Sequence, residues 1–110
     1  MKTGSELIAE ERNRQMSQEG WHPEHDDGHT KGQMAGAAAV YALEACGFEN
    51  PHCIELKRED VTHPVRLWPW SDYWWKPAPD PIRDLVKAGA LIAAEIDRLQ
   101  RLPRESTPSA

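Results

Sequence analysis

A stretch rich in tryptophan and proline, residues 67–81, constrains this chain more than any other feature. It holds four of the five tryptophans and four of the nine prolines. Proline lacks a backbone N–H and fixes its φ angle, so a helix cannot run through prolines spaced this closely. The stretch therefore predicts a long extended loop that separates helical segments and lays flat aromatic rings against its neighbours.

Two helices are predicted before this loop. The first begins near Ser5, a residue type that caps helix N-termini, and ends by Gly20. The second covers residues 33–46 and stops at Gly47. Its inner stripe is rich in alanine, which leaves room for a neighbouring helix or a bulky ring to approach closely. Further on, residues 54–57 alternate like a short strand, although a structured loop explains them equally well.

A third helix follows the loop and has the strongest start signal of the three. Asp80 is a suitable N-cap and Pro81 fits the first helical position, and Pro103 ends the helix. Apolar residues recur along it at spacings of three and four, the pattern of helices that pack at a shallow angle. We expect this stripe to be the spine of the core and also a surface for self-association. It consists of Ile82, Leu85, Gly89, Ile92, Ile96 and Leu99.

The length and composition fit one mainly α domain of three helices over residues 1–103, followed by a disordered tail at 104–110. With 110 residues, of which 39% are hydrophobic, the core is modest and a homo-oligomer is expected. A net charge of −5 argues against general nucleic-acid binding, which needs a basic face. The chain shows neither a membrane span nor a signal peptide, so we expect a cytoplasmic protein without a membrane partner.

The sharpest local signal is the segment 21–29, in which a tryptophan precedes three histidines and three acidic residues. Such side chains hydrogen-bond the polar edges of a ligand that stacks on an aromatic ring. They are also usual ligands of divalent metals, and a metal site here would use His22, His25 and His29. A capping loop, in which Asp26 and Asp27 accept backbone N–H groups, explains the same segment. All three interpretations remain open at this point.

The four tryptophans of the loop are candidates for the second wall of a ligand site whose first wall is the segment 21–29. They either plug the core over the alanine-rich helix or form a platform for a planar ligand, and a division between both roles fits four rings best. A tryptophan face beside a lysine suits a base and its phosphate. Tryptophans would stack the base, arginines and the lysine would meet phosphates, and the His and Asp side chains would read polar edges. The predicted site residues are Arg12, Arg14, Trp21, His25, Asp26, Asp27, His29, Trp74, Trp75 and Lys76.

Motifs spread over most of the chain resemble a family of small bacteriophage and prophage proteins. They are ERNRQ (11–15), EGWHPEHDDGH (19–29), WPW (68–70), WWKP (74–77), RDLVKAGALI (83–92) and AEIDRL (94–99). The segment 11–29 is also similar to the opening of ryanodine-receptor-type repeat domains. The phage resemblance implies a protein that acts by binding, as one class of phage proteins does when it captures nucleotide signals of bacterial immunity. We therefore expect sequestration of such a nucleotide-like ligand in the host cytoplasm, without a cofactor.

An acidic first helix, an alanine-rich middle and the closing helix resemble MazG-like nucleotide pyrophosphohydrolases in outline. This resemblance implies an alternative function, the Mg²⁺-dependent hydrolysis of nucleoside triphosphates, with carboxylates from facing helices holding the metal. The candidate residues are Glu6, Glu10, Asp84 and Glu95. The chain departs from that family in the spacing of its acids. In the family the paired acids lie three residues apart, whereas Glu6 and Glu10 of this chain lie four apart. A third interpretation is a module that binds a host protein through its tryptophan face.

Overall fold

The computed structural model describes residues 1–59 and 61–103. It is mainly helical, as predicted, and the predicted tail at 104–110 lies outside the described residues. The loop that precedes the last helix contains a 3₁₀ turn at Asp72–Trp74. The elements are α1 (Gly4–Gln18), α2 (Pro23–Asp27), α3 (Gln33–Ala45), β1 (Cys53–Arg58), β2 (Val61–Arg66) and α4 (Pro81–Arg101).

Helix α1 is capped by Thr3 rather than by the predicted Ser5. The Thr3 hydroxyl accepts the backbone N–H of Glu6 at 3.2 Å, and the Glu6 carboxylate accepts the backbone N–H of Thr3 at 3.1 Å. This reciprocal pair is a capping box, which satisfies two of the free N–H groups at a helix start. Gly20, just beyond the helix, has a φ of 75°, a conformation that glycine adopts without steric cost.

With helix α2, the described residues 1–59 and 61–103 contain four α-helices rather than the predicted three. It lies in the segment 21–29, for which a capping loop is one of the interpretations of the sequence. The helix begins with Pro23 at its first position. Proline is favoured there because the first N–H groups of a helix have no partner inside the helix. The helix ends at Asp27, and Gly28 caps it. Its last turn places Asp26 inside the protein and leaves Asp27 exposed.

The core lies between α3 and α4, and the tryptophan loop closes it. The loop passes directly over α3 at Gly36, where a Cβ atom would come within 2.9 Å of the Leu67 carbonyl oxygen. Trp68 is buried in this core, so one of the four loop tryptophans fills the space that the alanines leave. The core consists of Met34, Ala37, Ala38, Val40, Tyr41, Trp68, Ala88, Leu91 and Ala94.

Helix α4 turns a different face to the core from the one predicted. The five aliphatic residues of the predicted stripe are between 47% and 59% exposed. These residues are therefore not the spine of the core. Helix α4 is apolar on two sides, and the side that carries small residues is the one that packs against the alanines of α3. Gly89, at the middle of the stripe, receives α1, since a Cβ there would lie 2.5 Å from Cδ1 of Ile8. The five exposed residues are Ile82, Leu85, Ile92, Ile96 and Leu99.

The two strands form an antiparallel hairpin between α3 and the tryptophan loop. Cys53 pairs with Arg66 at the open end, and Arg58 pairs with Val61 near the turn. Strand β1 covers the alternating residues 54–57, for which a strand or a loop was expected. Within the described ranges, no helix combines the length and the apolar character needed to cross a membrane.

Candidate functional site

A cleft of about 350 Å³ opens between α1, the α2 segment, the tryptophan loop and α4. Residues of both segments that carried the sequence signal, 21–29 and 68–76, border it. The two segments therefore meet within a single chain. The bordering residues that the next paragraphs use are Glu11, Arg14, Gln15, Trp21, His25, His29, Tyr41, Trp70, Trp74, Lys76 and Lys87.

One wall of the cleft is a continuous series of aromatic rings. Trp21 and His25 are parallel within 4°, with ring centroids 6.2 Å apart. His25 contacts His29 edge to face at 5.0 Å, and His29 lies 5.3 Å from Trp70. Trp70 in turn contacts the buried Trp68 at 5.5 Å, which joins this wall to the core. The wall presents flat apolar faces together with imidazole nitrogens, so it can stack a planar ring and hydrogen-bond its edge.

His29 is the most enclosed histidine of this wall. Burial lowers its pKa below the ordinary value, and the nearby His25 lowers it further. The imidazole is therefore neutral at pH 7, with one nitrogen that donates a hydrogen bond and one that accepts. A neutral His29 can recognise either a donor or an acceptor on a ligand.

Two lysines stand together at the cleft. The Nζ of Lys87 donates to the backbone oxygen of Lys76 at 2.6 Å. The Nζ of Lys76 lies 5.7 Å from the Trp74 ring and 6.0 Å from the Tyr73 ring, while that of Lys87 lies 5.5 Å from Tyr41. Burial lowers the pKa of Lys87, because it disfavours the charged ammonium. An anionic group bound here would offset that cost.

Glu11 is buried between α1 and α4, where it accepts hydrogen bonds from three side chains. Its Oε1 accepts hydrogen bonds from Arg14 at 2.8 Å and from Arg83 at 2.6 Å, and its Oε2 accepts from Gln15 at 3.1 Å. Burial raises the pKa of Glu11, but hydrogen bonds from Arg14 and Arg83 outweigh it, and the net pKa is lowered. Arg14 also donates to Glu19 at 3.1 Å. Arg14, which the sequence predicts as a phosphate contact, thus borders the cleft with its charge already balanced by Glu11 and Glu19.

Three of the predicted site residues are not among those that border the cleft. Arg12 is buried and donates to Asp26 at 2.8 Å, so this pair joins α1 to α2. Asp27 accepts from Arg101 at 2.7 Å and joins α2 to the end of α4. Trp75 packs among the rings of the core. These three residues hold the walls in place, whereas Asp26, the partner of Arg12, borders the cleft.

The carboxylates of the hydrolase hypothesis are not gathered in one place. Among residues 1–59 and 61–103, no three His, Cys, Asp or Glu side chains form a group that could hold a metal ion. This finding covers His22, His25 and His29 as well. Each of the four carboxylates has a local partner: Glu6 pairs with Thr3, Glu10 with Lys2, Asp84 with the backbone N–H of Ala78 and Glu95 with Arg98.

Several residues that border the cleft were absent from the predicted site. Gln15 lies on the polar face of α1, and that unusual face was the one signal that pointed to it. Trp70 belonged to the tryptophan group but was not assigned to the site. Lys87 and Tyr41 sit in helical sequence that looks ordinary, and contact with residues far along the chain brings them to the cleft.

Comparison with known proteins adds no relative from which a function could be transferred. No protein-family model, no curated protein and no solved structure matches the chain. The cleft itself, which an aromatic wall and a pair of lysines border, is the feature that indicates a function.

Proposed function

We propose that the cleft binds a small molecule that combines a planar ring with an anionic group, as a nucleotide does. One observation carries this proposal: rings from two distant segments, Trp21 and Trp70, enclose a cleft that also holds the adjacent Lys76 and Lys87. Aromatic faces bind any nucleobase, and lysines bind phosphate as point charges. The cleft lies at the small end of the range of about 300–1,000 Å³ that is usual for ligand pockets, which suits one ring system.

The local charge of the cleft supports an anionic ligand although the whole chain carries a net charge of −5. Arg14 is neutralised by Glu11 and Glu19, whereas the two lysines make no salt bridge within the described residues. Their charge is therefore available to a ligand. The resemblance to phage proteins supports the narrower proposal that this ligand is a nucleotide-derived signal of bacterial immunity, which the protein would sequester.

The test is a thermal-shift panel of nucleotides, cyclic oligonucleotides and ADP-ribose derivatives at millimolar concentration, followed by titration calorimetry of any ligand that binds. We expect Trp70→Ala to weaken binding about tenfold, since a stacked base contributes ~1–3 kcal/mol. Lys76→Ala should weaken anionic ligands more than the matching nucleosides, and Lys31→Ala, an exposed lysine outside the cleft, is the control. If no compound of the panel shifts the melting temperature of the protein, the proposal is wrong.

Sequestration and turnover differ in what the protein releases. Heat denaturation of the loaded protein should return the ligand unchanged, as chromatography of the supernatant would show. Recovery of a hydrolysed product instead would favour the pyrophosphohydrolase alternative, which requires added Mg²⁺.

We also propose that two copies of the chain pair through the outward stripe of α4. The stripe carries no charge, so two copies of this acidic chain can meet there without like-charge contacts. In an antiparallel pair, Ile82 lies opposite Leu99 and Leu85 opposite Ile96, so the two ends of the stripe complement each other and the helix dipoles oppose each other. Ile8 of α1 occupies the space over Gly89 at the middle, so the contact is made mainly by the two ends. A seam of 18 residues is about 27 Å long, which gives a small interface and predicts a weak, concentration-dependent dimer.

A further inference from the structure

Gln15 carries a hydrogen-bonding atom that the folded chain leaves without a partner. The residue is 3% exposed and borders the cleft. Its Nε2 donates to Oε2 of Glu11 at 3.1 Å. Its Oε1 is buried and has no partner in the part of the chain that the structure describes, where the other buried side-chain atom of this kind is Nε of Arg12.

The orientation of the Gln15 amide follows from the charge of Glu11. Arginine hydrogen bonds hold the pKa of Glu11 below its usual range despite burial, so its carboxylate is ionised and can only accept. Turning the amide over would place its carbonyl oxygen against that carboxylate. The amide must therefore give its NH₂ group to Glu11, which leaves the carbonyl oxygen as its free polar atom.

The residue that carries the free acceptor lies next to the ring-stacking wall. The backbone N–H of Trp21 donates to the backbone oxygen of Gln15 at 3.0 Å, so the first ring of the wall is tied to this residue. A buried acceptor without a partner is unfavourable, and in native proteins such atoms are usually satisfied by ordered water or by a ligand. Of the two residues that carry a buried atom without a partner, Gln15 borders the cleft and Arg12 does not. Gln15 is therefore the one that a ligand can reach.

We infer that the Gln15 carbonyl oxygen accepts a hydrogen bond from an N–H group at the edge of the bound ring. The site therefore takes planar rings that carry such a donor, as the amino-bearing nucleobases do, and discriminates against rings without one. This inference rests on the proposed function, because it assumes that a ring enters the cleft.

The test compares AMP with purine riboside 5′-monophosphate, which has the same ring, sugar and phosphate but lacks the amino group. Titration calorimetry on the full chain should show that AMP binds about tenfold more tightly or better, because a site built around a ligand N–H rejects the analogue that lacks it. Equal affinity for the two nucleotides would overturn the inference and leave the proposed function standing. Failure of both to bind would overturn the inference together with nucleotide binding.

Variants of two glutamines of α1 test whether Gln15 causes the difference in affinity between the two nucleotides. Gln15→Met keeps the length of the side chain and removes the acceptor, so it should bring the two affinities within about twofold of each other. Gln18→Met, at an exposed position of α1, should leave the ratio unchanged. If Gln15→Met weakens both nucleotides equally and keeps the ratio, the residue only supports the wall and the inference is wrong. The comparison on the unaltered chain decides the question even if Gln15→Met does not fold.

Discussion

The two faces of α4 differ in a way that reverses the usual expectation for a surface helix. The face that packs against the rest of the protein contains charged residues, Asp84, Glu95 and Arg98, among its buried positions. The face turned to solvent contains five aliphatic residues that are about half exposed. A helix that is apolar on two sides is normally covered on both.

The charged residues are tolerated inside because each has a partner at short range. Asp84 accepts the backbone N–H of Ala78 at 2.8 Å, and Glu95 accepts from Arg98 at 2.6 Å. A hydrogen-bonded partner offsets much of the cost of removing a charge from water. Within the described residues, Ile8 of α1 packs on the stripe at Gly89, whereas the five aliphatic residues stay about half exposed. An exposed apolar patch usually marks a contact with another molecule. One face of α4 thus serves the fold, and the other is available for association.

The largest effect is expected from two adjacent residues on opposite faces of α4. Leu91→Ala should lower the free energy of unfolding by about 2–5 kcal/mol, because Leu91 is buried in the core and its truncation leaves a cavity. Ile92→Ala, one position further along, should cost less than about 1 kcal/mol at micromolar protein concentration. Urea denaturation of both variants measures the difference. Similar losses would mean that the outward face is also part of the core.

A second prediction concerns the buried acid of the inward face. Asp84→Ala should lower the free energy of unfolding by about 1.5–3 kcal/mol, because it removes a charge-assisted hydrogen bond to the tryptophan loop. Asp97→Ala, an exposed acid of the same helix, is the matched control and should change stability by less than about 0.5 kcal/mol. Asp84 would have no structural role if the two variants were equally stable.

A third prediction tests the outward face directly. The double variant Ile92→Lys and Ile96→Lys should abolish self-association, because it places four positive charges in the proposed seam of the dimer. Light scattering after size exclusion, over a range of protein concentrations, measures the mass. Asp97→Lys, on the same helix but outside the stripe, should leave the dimer intact. A monomeric mass for the unaltered chain even at high concentration would refute the dimer proposal.

The smallest effect is the pH dependence that His29 gives to stability. Burial, and then the neighbouring His25, lowers the pKa of folded His29 below its ordinary value of 6.5, while Asp26 and Glu95 act in the opposite direction. The unfolded chain therefore takes up the proton more readily than the folded chain. This contribution to stability is fully present above pH 6.5 and is lost as the pH falls below it.

We expect the free energy of unfolding to fall between pH 7.5 and about 5.5, and His29→Gln to reduce that fall. Urea denaturation at each pH measures it. His22→Gln changes an exposed histidine at the start of α2 and serves as the control. A pH profile that His29→Gln leaves unaltered would show that burial of this ring has no energetic consequence.

The sequence predicted the features that depend on local chemistry. The Asp80 side chain accepts the N–H of Ile82 at 2.9 Å, as expected for an N-cap followed by Pro81. Gly20 and Gly47 have positive φ beyond the ends of their helices. A cap or a backbone preference acts within a few residues, so its residue types can be recognised without knowledge of the fold. The segment 23–27 shows the limit, because a helix and a loop there use the same residues.

The face that α4 buries could not be predicted in this way. Its spacing of three and four identified an apolar stripe correctly, but periodicity states which residues share a side and not which side meets a neighbour. The alanines of α3 and the ring of Trp68 decided that, because they leave space for Ala88 and Ala94 rather than for the larger stripe residues. The same limit applies to Lys87, which borders the cleft without a sequence signal, and to Arg12, a predicted ligand contact that is buried against Asp26.

The amino-acid sequence by itself determined where α3 and α4 begin and end, that a loop rich in tryptophan and proline precedes α4, and that the rings of this loop and the segment 21–29 are the unusual chemistry of the chain. Only the tertiary structure decided which of these side chains face one another. Arg83 reaches Glu11 across 72 positions of sequence, and a cleft forms where such distant contacts leave a gap. Local hydrogen bonds and backbone preferences act between neighbours in sequence, whereas packing selects among faces that the sequence alone leaves equivalent.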